Sequence, residues 1–213
     1  PSSLNKNVII KFKSLGVDLY RINMSHTSLR SLEKKIIFLK KLGIKNICID
    51  TEGAQIRTKC KKKIFLKKGE KIKISNNIKS KLSFYPEINF SKLKINTIIK
   101  VGFDNLQLKI LKIIKSNYFL TEVVSSGILE KNKGVHFSRN INLPCLTEKD
   151  KEAILIAKKN NVKYFALSFA SHPNDVKKLR KLIGKKSFLI SKIETKKAIT
   201  NLKSIIKNSD AIL

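Results

Sequence analysis

Two segments, Tyr20-Arg-Ile-Asn-Met-Ser-His26 and Ile49-Asp-Thr-Glu-Gly-Ala-Gln-Ile-Arg-Thr58, end apolar runs in polar clusters suited to binding phosphate. Read as strands running out into loops, they place successive side chains on opposite faces. Arg21, Asn23 and Ser25 then point one way, and Ile22 and Met24 the other. A parallel strand covered by helices is apolar on both faces, so polar groups collected at its C-terminal end mark chemistry. Asp50, Thr51 and Arg57 repeat the arrangement in the second segment. Asn23, Ser25, Asp50 and Thr51 offer oxygen donors, which suit a weakly polarising monovalent cation or Mg2+, while Arg21 and Arg57 carry charge opposite to phosphate.

In Ser191-Lys-Ile-Glu194, Lys192 and Glu194 share one strand face, with Ile193 turned away. A lysine near a carboxylate at a strand end can offset charge on a transferring phosphoryl group, and the carboxylate can take a hard divalent cation. An interior ion pair explains this segment equally well on its own. Context favours chemistry: with Ser168 at another strand end, four strands carry polar groups where parallel α/β folds place their sites.

The elements that must hold these residues follow a helix-then-strand rhythm, with glycine closing the first two helices. The pattern predicts a helix capped by Ser3 and running to Ser14, a strand from Val17 to Met24, a helix from Ser28 to Gly43 and a strand from Ile44 to Ile49. Between about Lys59 and Asn142 the period falls to two, in runs at residues 63–66, 71–74, 97–101, 106–111 and 118–124. That segment reads as an antiparallel β insert, a lid or small barrel. Thr147 followed by Asp150 then signals a helix start, and the first rhythm resumes with strands at 164–169, 188–194 and 210–213. The expected domains are 1–58 and 143–213, two parts of one catalytic barrel, and 59–142, the insert. A strand is expected before Pro1 and a loop after Leu213.

With 213 residues and 42% apolar content the chain can bury a core. Lysines break every apolar run short of the roughly 18 residues a spanning helix requires. Cys48, Cys60 and Cys145 fit no metal-ligand or redox spacing, which suits a reduced, cytoplasmic protein. A formal charge of +31 invites a nucleic-acid reading. Of 46 basic residues only five are arginine, however, and arginine is the residue that bidentate phosphate and base contacts favour. Most of the charge reads as solvated faces.

The chain resembles pyruvate kinase. Arg21-Ile-Asn-Met-Ser-His26, Asp50-Thr-Glu-Gly-Ala-Gln-Ile-Arg-Thr58 and Ser191-Lys-Ile-Glu194 look like that family's motifs on strands two, three and five. Leu143-Pro-Cys-Leu-Thr-Glu-Lys-Asp150 looks like the return from its inserted domain, and Ser209-Asp-Ala-Ile-Leu213 like the lead into strand six. The resemblance implies an α/β fold, a partial TIM (β/α)8 barrel interrupted by a small antiparallel β-barrel. It implies phosphoryl transfer from phosphoenolpyruvate to ADP with Mg2+ and K+, in a full-length protein that is a homotetramer. Arg21 and Lys192 would act on the transferring phosphoryl group. Asn23, Ser25, Asp50 and Thr51 would bind K+, and Glu194 would bind Mg2+. Arg57, His26 and, from the insert, Lys133 would meet nucleotide phosphates.

Departures from the family pattern are equally specific. The Arg-Gly-Asp stretch that supplies a second Mg2+ carboxylate would fall beyond Leu213, so the chain as given is expected to be inactive. Gln55 stands where the family has glutamate or lysine, Thr27 replaces a glycine, and Ser171 falls where arginine is common. These three also admit a degenerate, non-catalytic homologue that binds phosphorylated ligands, and the charge admits an RNA-binding protein.

Overall fold

The structure is a computed structural model in which residues 3–76, 80–102, 105–114, 118–139 and 141–213 are described. The chain packs into two compact units, one made of Pro1–Ala54 with Pro144–Leu213 and the other of Gln55–Leu143. The division after Ala54 falls four residues before the boundary expected after residue 58. The reason is local, since residues 56–59 form a strand that pairs inside the insert.

The first unit alternates helix and strand. In chain order it holds α1 (Lys6–Ser14), β1 (Tyr20–Asn23), α2 (Leu29–Lys41) and β2 (Ile47–Asp50) before the insert. The insert contains β3 (Ile56–Lys59), β4 (Ile64–Leu66), β5 (Lys71–Ser75), β6 (Ser83–Tyr85), β7 (Ile98–Val101), β8 (Leu106–Ile114), β9 (Tyr118–Ser125), β10 (Gly127–Leu129) and β11 (Gly134–Phe137). The first unit resumes with α3 (Glu148–Lys159), β12 (Tyr164–Leu167), α4 (Pro173–Ile183), β13 (Phe188–Ser191), α5 (Lys196–Thr200), α6 (Leu202–Ile206) and β14 (Ala211–Ile212).

Five parallel strands order as β1-β2-β12-β13-β14, part of an α/β barrel. Helices cover them with apolar stripes at helical spacing: Leu32, Ile36 and Leu39 on α2, and Val176, Leu179 and Ile183 on α4. These residues join Ile47, Ile49, Phe165, Leu167 and Leu189 from the strands in one core. β2 has a neighbour on either side and is buried along its whole length, so Asp50 at its end is buried as well.

Several expected boundaries shift for identifiable reasons. α1 is capped by Asn5, whose side chain accepts from Asn7 N, and not by Ser3. Pairing on β1 begins only at Tyr20, opposite Ile47, so Val17 to Leu19 stay outside the strand. The strand stops at Asn23 because its Oδ1 accepts from Ser25 N at 2.8 Å and turns Met24–His26 into a short 3-10 helix. Phe169, expected within a strand, has φ 55 and lies beyond β12.

The insert is a seven-stranded antiparallel sheet ordered β5-β9-β8-β7-β11-β3-β6, with β4 and β10 paired separately. A bridge between Ile74 and Leu82 brings the two ends of the large sheet together, so it curls toward a barrel. Its own core centres on Phe119, packed edge-on against Phe90 with centroids 4.9 Å apart. Among the described residues no helix is long and apolar enough to cross a membrane.

Candidate active site

The C-terminal ends of β1, β2, β12 and β13 bring four charges together. Asp50, 1% exposed, is ion-paired with Arg21 Nη1 at 3.2 Å and lies 3.4 Å from Lys192 Nζ. Ser168, just past β12, donates its hydroxyl to Asp50 Oδ1 at 2.9 Å and accepts from Lys192 Nζ at 3.0 Å. Lys192 also pairs with Glu194 Oε1 at 3.2 Å, and the other oxygen of Glu194 accepts from Phe169 N at 2.9 Å. That last bond uses the positive φ of Phe169, a conformation uncommon for a bulky residue and concentrated at functional sites.

Two cations and two anions balance within the cluster. A buried carboxylate is tolerated only when paired and hydrogen-bonded, and Asp50 has two cations and a hydroxyl. An incoming phosphate would therefore compete with Asp50 and Glu194 for Arg21 and Lys192, unless further cations entered with it. Lys192, with a side chain 12% exposed, is the better shielded of the two, while Arg21 is half exposed.

The residues read from the sequence as oxygen donors lie at or just beyond the ends of the adjacent strands β1 and β2. Asn23 and Asp50 are partners in the parallel register of β1 and β2. Thr51 is buried, donates its N–H to Ala166 O, and accepts from Ser168 N at 3.0 Å through its hydroxyl. Ser25 and His26 follow on the short turn, so the turn and not strand alternation sets their direction. His26 lines a cavity of about 650 Å3 along β1 with Arg21, Asn23, Tyr20 and Lys35.

Arg57 and Lys133 belong to the second unit, where they are drawn together. Gly134 pairs with Arg57 across β11 and β3, Arg57 Nη1 donates to Asn132 O at 3.1 Å, and Lys133 N donates to Thr58 Oγ1 at 2.9 Å. Gln55 lies in the same unit, against Gly134. Thr27 is buried and its hydroxyl accepts from Lys35, and Ser171 bonds the hydroxyl of Thr195.

One network was not anticipated. Asp150, fully buried, caps α3 by accepting from Thr147 N, and it also accepts from Glu52 N at 2.7 Å and Gly53 N at 3.2 Å. Burial raises its carboxyl above the usual range despite these three N–H donors. Lys149 Nζ lies 2.6 Å from both Glu52 Oε1 and Met24 O. The Thr147 and Asp150 spacing signalled the helix start, but nothing local points to partners almost a hundred residues earlier. Cys48, two residues before Asp50, is an inert buried thiol pushed up to about 12, chiefly by desolvation and then by the Asp50 charge.

Comparison with known proteins gives concordant matches. The family described as "Pyruvate kinase, barrel domain" matches residues 1–213. The chain is 30% identical over its whole length to the pyruvate kinase of Clostridium perfringens, covering 48% of that relative. It is 32% identical over its whole length to that of Thermotoga maritima, covering 49%. Over an alignment 128 positions long that covers 57% of the chain, it is 38% identical to the pyruvate kinase of Buchnera aphidicola, covering 26% of that relative. Among solved structures, Cryptosporidium parvum pyruvate kinase matches the whole chain with TM-score 0.90 at 25% identity, and 49% of that chain is covered. The chain thus spans from about a quarter to about half the length of these relatives.

Proposed function

Because the chain belongs to the pyruvate kinase family, we propose that the protein transfers the phosphoryl group of phosphoenolpyruvate to ADP, giving pyruvate and ATP. The enol oxygen–phosphorus bond breaks, a bond from the terminal ADP oxygen to the same phosphorus forms, and the released enolate takes up a proton. Such transfer depends on positioning and charge stabilisation more than on covalent help from the protein. The observation that carries the reading is the position of Lys192 Nζ, held between Asp50 and Glu194 with Ser168 beneath it.

Lys192 is held ready for the equatorial oxygens of the transferring group, where negative charge shifts during reaction. Arg21, half exposed and tethered to Asp50 by a single contact, can turn to the phosphate of the bound substrate. His26, Arg57 and Lys133 are assigned to nucleotide phosphates.

The donor set fits the two metal ions of the reading. Asn23, Ser25, Asp50 and Thr51, on adjacent strand ends, would hold K+ through oxygen. Among the described residues no group of three or more His, Cys, Asp or Glu could hold an ion alone. Glu194 would hold Mg2+ together with substrate phosphate oxygens, as Mg2+ sites commonly do. Bound there, the two ions would neutralise phosphate charge that the balanced cluster leaves uncovered. The free, buried cysteines accord with a cytoplasmic protein.

A coupled assay tests the reading. The protein expressed from its complete reading frame should form pyruvate from phosphoenolpyruvate only with ADP and Mg2+ present, and K+ should raise the rate. Binding of phosphoenolpyruvate without pyruvate formation would assign it instead to a non-catalytic role.

A further inference from the structure

The first turn of α3 does more than start a helix. A capping box needs only the Asp150 carboxylate on Thr147 N and the Thr147 hydroxyl on Asp150 N. The bonds from Asp150 to Glu52 N and Gly53 N, and those from Lys149 to Glu52 and Met24 O, are surplus to that purpose. They reach the two loops on which the candidate site depends. Met24 opens the turn carrying Ser25 and His26, and Glu52 and Gly53 directly follow Asp50 and Thr51.

We propose that Lys149 and Asp150 are positioning residues that clamp the loops after β1 and β2, fixing the oxygen donors of the site against one another. The proposal rests on the phosphoryl-transfer reading of that site. The two residues divide the work: Asp150 holds the backbone of the second loop, while Lys149 ties a carbonyl of the first loop to the Glu52 carboxylate of the second. Burial strengthens both links. Glu52 is 6% exposed, and unpaired it would be costly to keep charged. Gly53 completes the seat, because its φ of +68 and its approach to the Ser168 carbonyl leave no room for a side chain.

The test uses assigned amide spectra of the protein expressed from its complete reading frame together with phosphoenolpyruvate titrations. Ser168 N, bonded to Thr51 Oγ1, reports on the second loop, and Ser25 N, bonded to Asn23 Oδ1, reports on the first. Asp150→Asn should move the Glu52, Gly53 and Ser168 amides and weaken phosphoenolpyruvate binding roughly tenfold, the size of one lost charge-assisted contact. Lys149→Met should move the Ser25 and Glu52 amides with a smaller loss of affinity. Ile205→Val, in the core on α6, controls for general loosening. Changes confined to residues 147–151 with affinity intact would overturn the proposal, as would the same loop shifts in the control. Should Asp150→Asn fail to fold, Lys149→Met decides alone. If the loop amides move as stated but the unsubstituted protein binds no phosphoenolpyruvate, the clamp stands and the reading of the site fails.

Discussion

Lys192 and Asp50, 142 residues apart, face each other at 3.4 Å with the Ser168 hydroxyl bonded to both. Ser168 therefore sets where the ammonium rests, not only the pair's own attraction. Removing that hydroxyl leaves a buried carboxylate one donor short. Ser168→Ala should lower stability by about 1–3 kcal/mol, a typical cost for an unmet buried polar group. Thermal melts measure this, and no change would mean that water replaces the hydroxyl.

Lys192→Met addresses the chemistry. In the protein expressed from its complete reading frame, turnover should fall at least about a hundredfold, while phosphoenolpyruvate affinity changes by less than about tenfold, because charge redistribution is greatest in the transition state. Equal losses in both, read from kcat and a direct binding titration, would remove Lys192 from the role assigned to it.

Gly53 predicts a contrast between two glycines. A Cβ there would come within 2.5 Å of the Ser168 carbonyl oxygen, on a backbone with φ +68. Gly16 has φ +77 but nothing within 4 Å of such a Cβ. Gly16→Ala should cost only the left-handed conformation, about 1–2 kcal/mol. Gly53→Ala should cost more than that by at least about 1–3 kcal/mol of overpacking. Paired denaturation curves decide it, and equal costs would mean that the Ser168 loop yields freely.

Asp210 links stability to pH. Burial alone would raise its carboxyl, but the Arg180 hydrogen bond, the Leu189 N–H and the guanidinium charge together hold it below the usual value. A lowered folded-state pKa means that the unfolded chain binds the proton more readily. The stabilisation is therefore present above about pH 4, the ordinary aspartate range, and is lost as pH falls through the lowered value. Asp210→Asn should cost about 1 kcal/mol at pH 7, discounted because the pair is partly exposed. That difference should shrink below about pH 4. A gap that stayed constant down to strongly acid pH would show that the pair contributes nothing through charge.

The site was legible where residue type and strand spacing coincided. Asn23, Asp50, Lys192 and Glu194 lie at or just beyond strand ends and Arg21 within β1, where alternation together with motif likeness pointed to them as candidates. Ser25 was harder, because the Asn23 side chain turns the backbone one residue before it. In the insert, the five period-two runs coincide with β4, β5, β7, β8 and β9, while β6, β10 and β11 lie outside them. Those three are only three or four residues long and stand in no run of clear alternation, so long-range pairing defines them. The bond from Asp150 to Glu52 was illegible for the same reason: a capping signal is local, but its second partner is chosen by the tertiary fold.

That same bond bears on how the chain acquires its shape. Glu52 and Asp150 are separated by 98 positions, nearly all of them belonging to a unit with a core of its own. While the intervening segment is unstructured, the bond must close a long loop, and the entropic penalty of closure rises with the logarithm of loop length. Once that segment has collapsed, the effective loop is far shorter. Refolding should thus proceed from the middle of the sequence outward, with amides of β8 and β9 protected from exchange in a pulse-labelling experiment before those of Glu52 and Gly53.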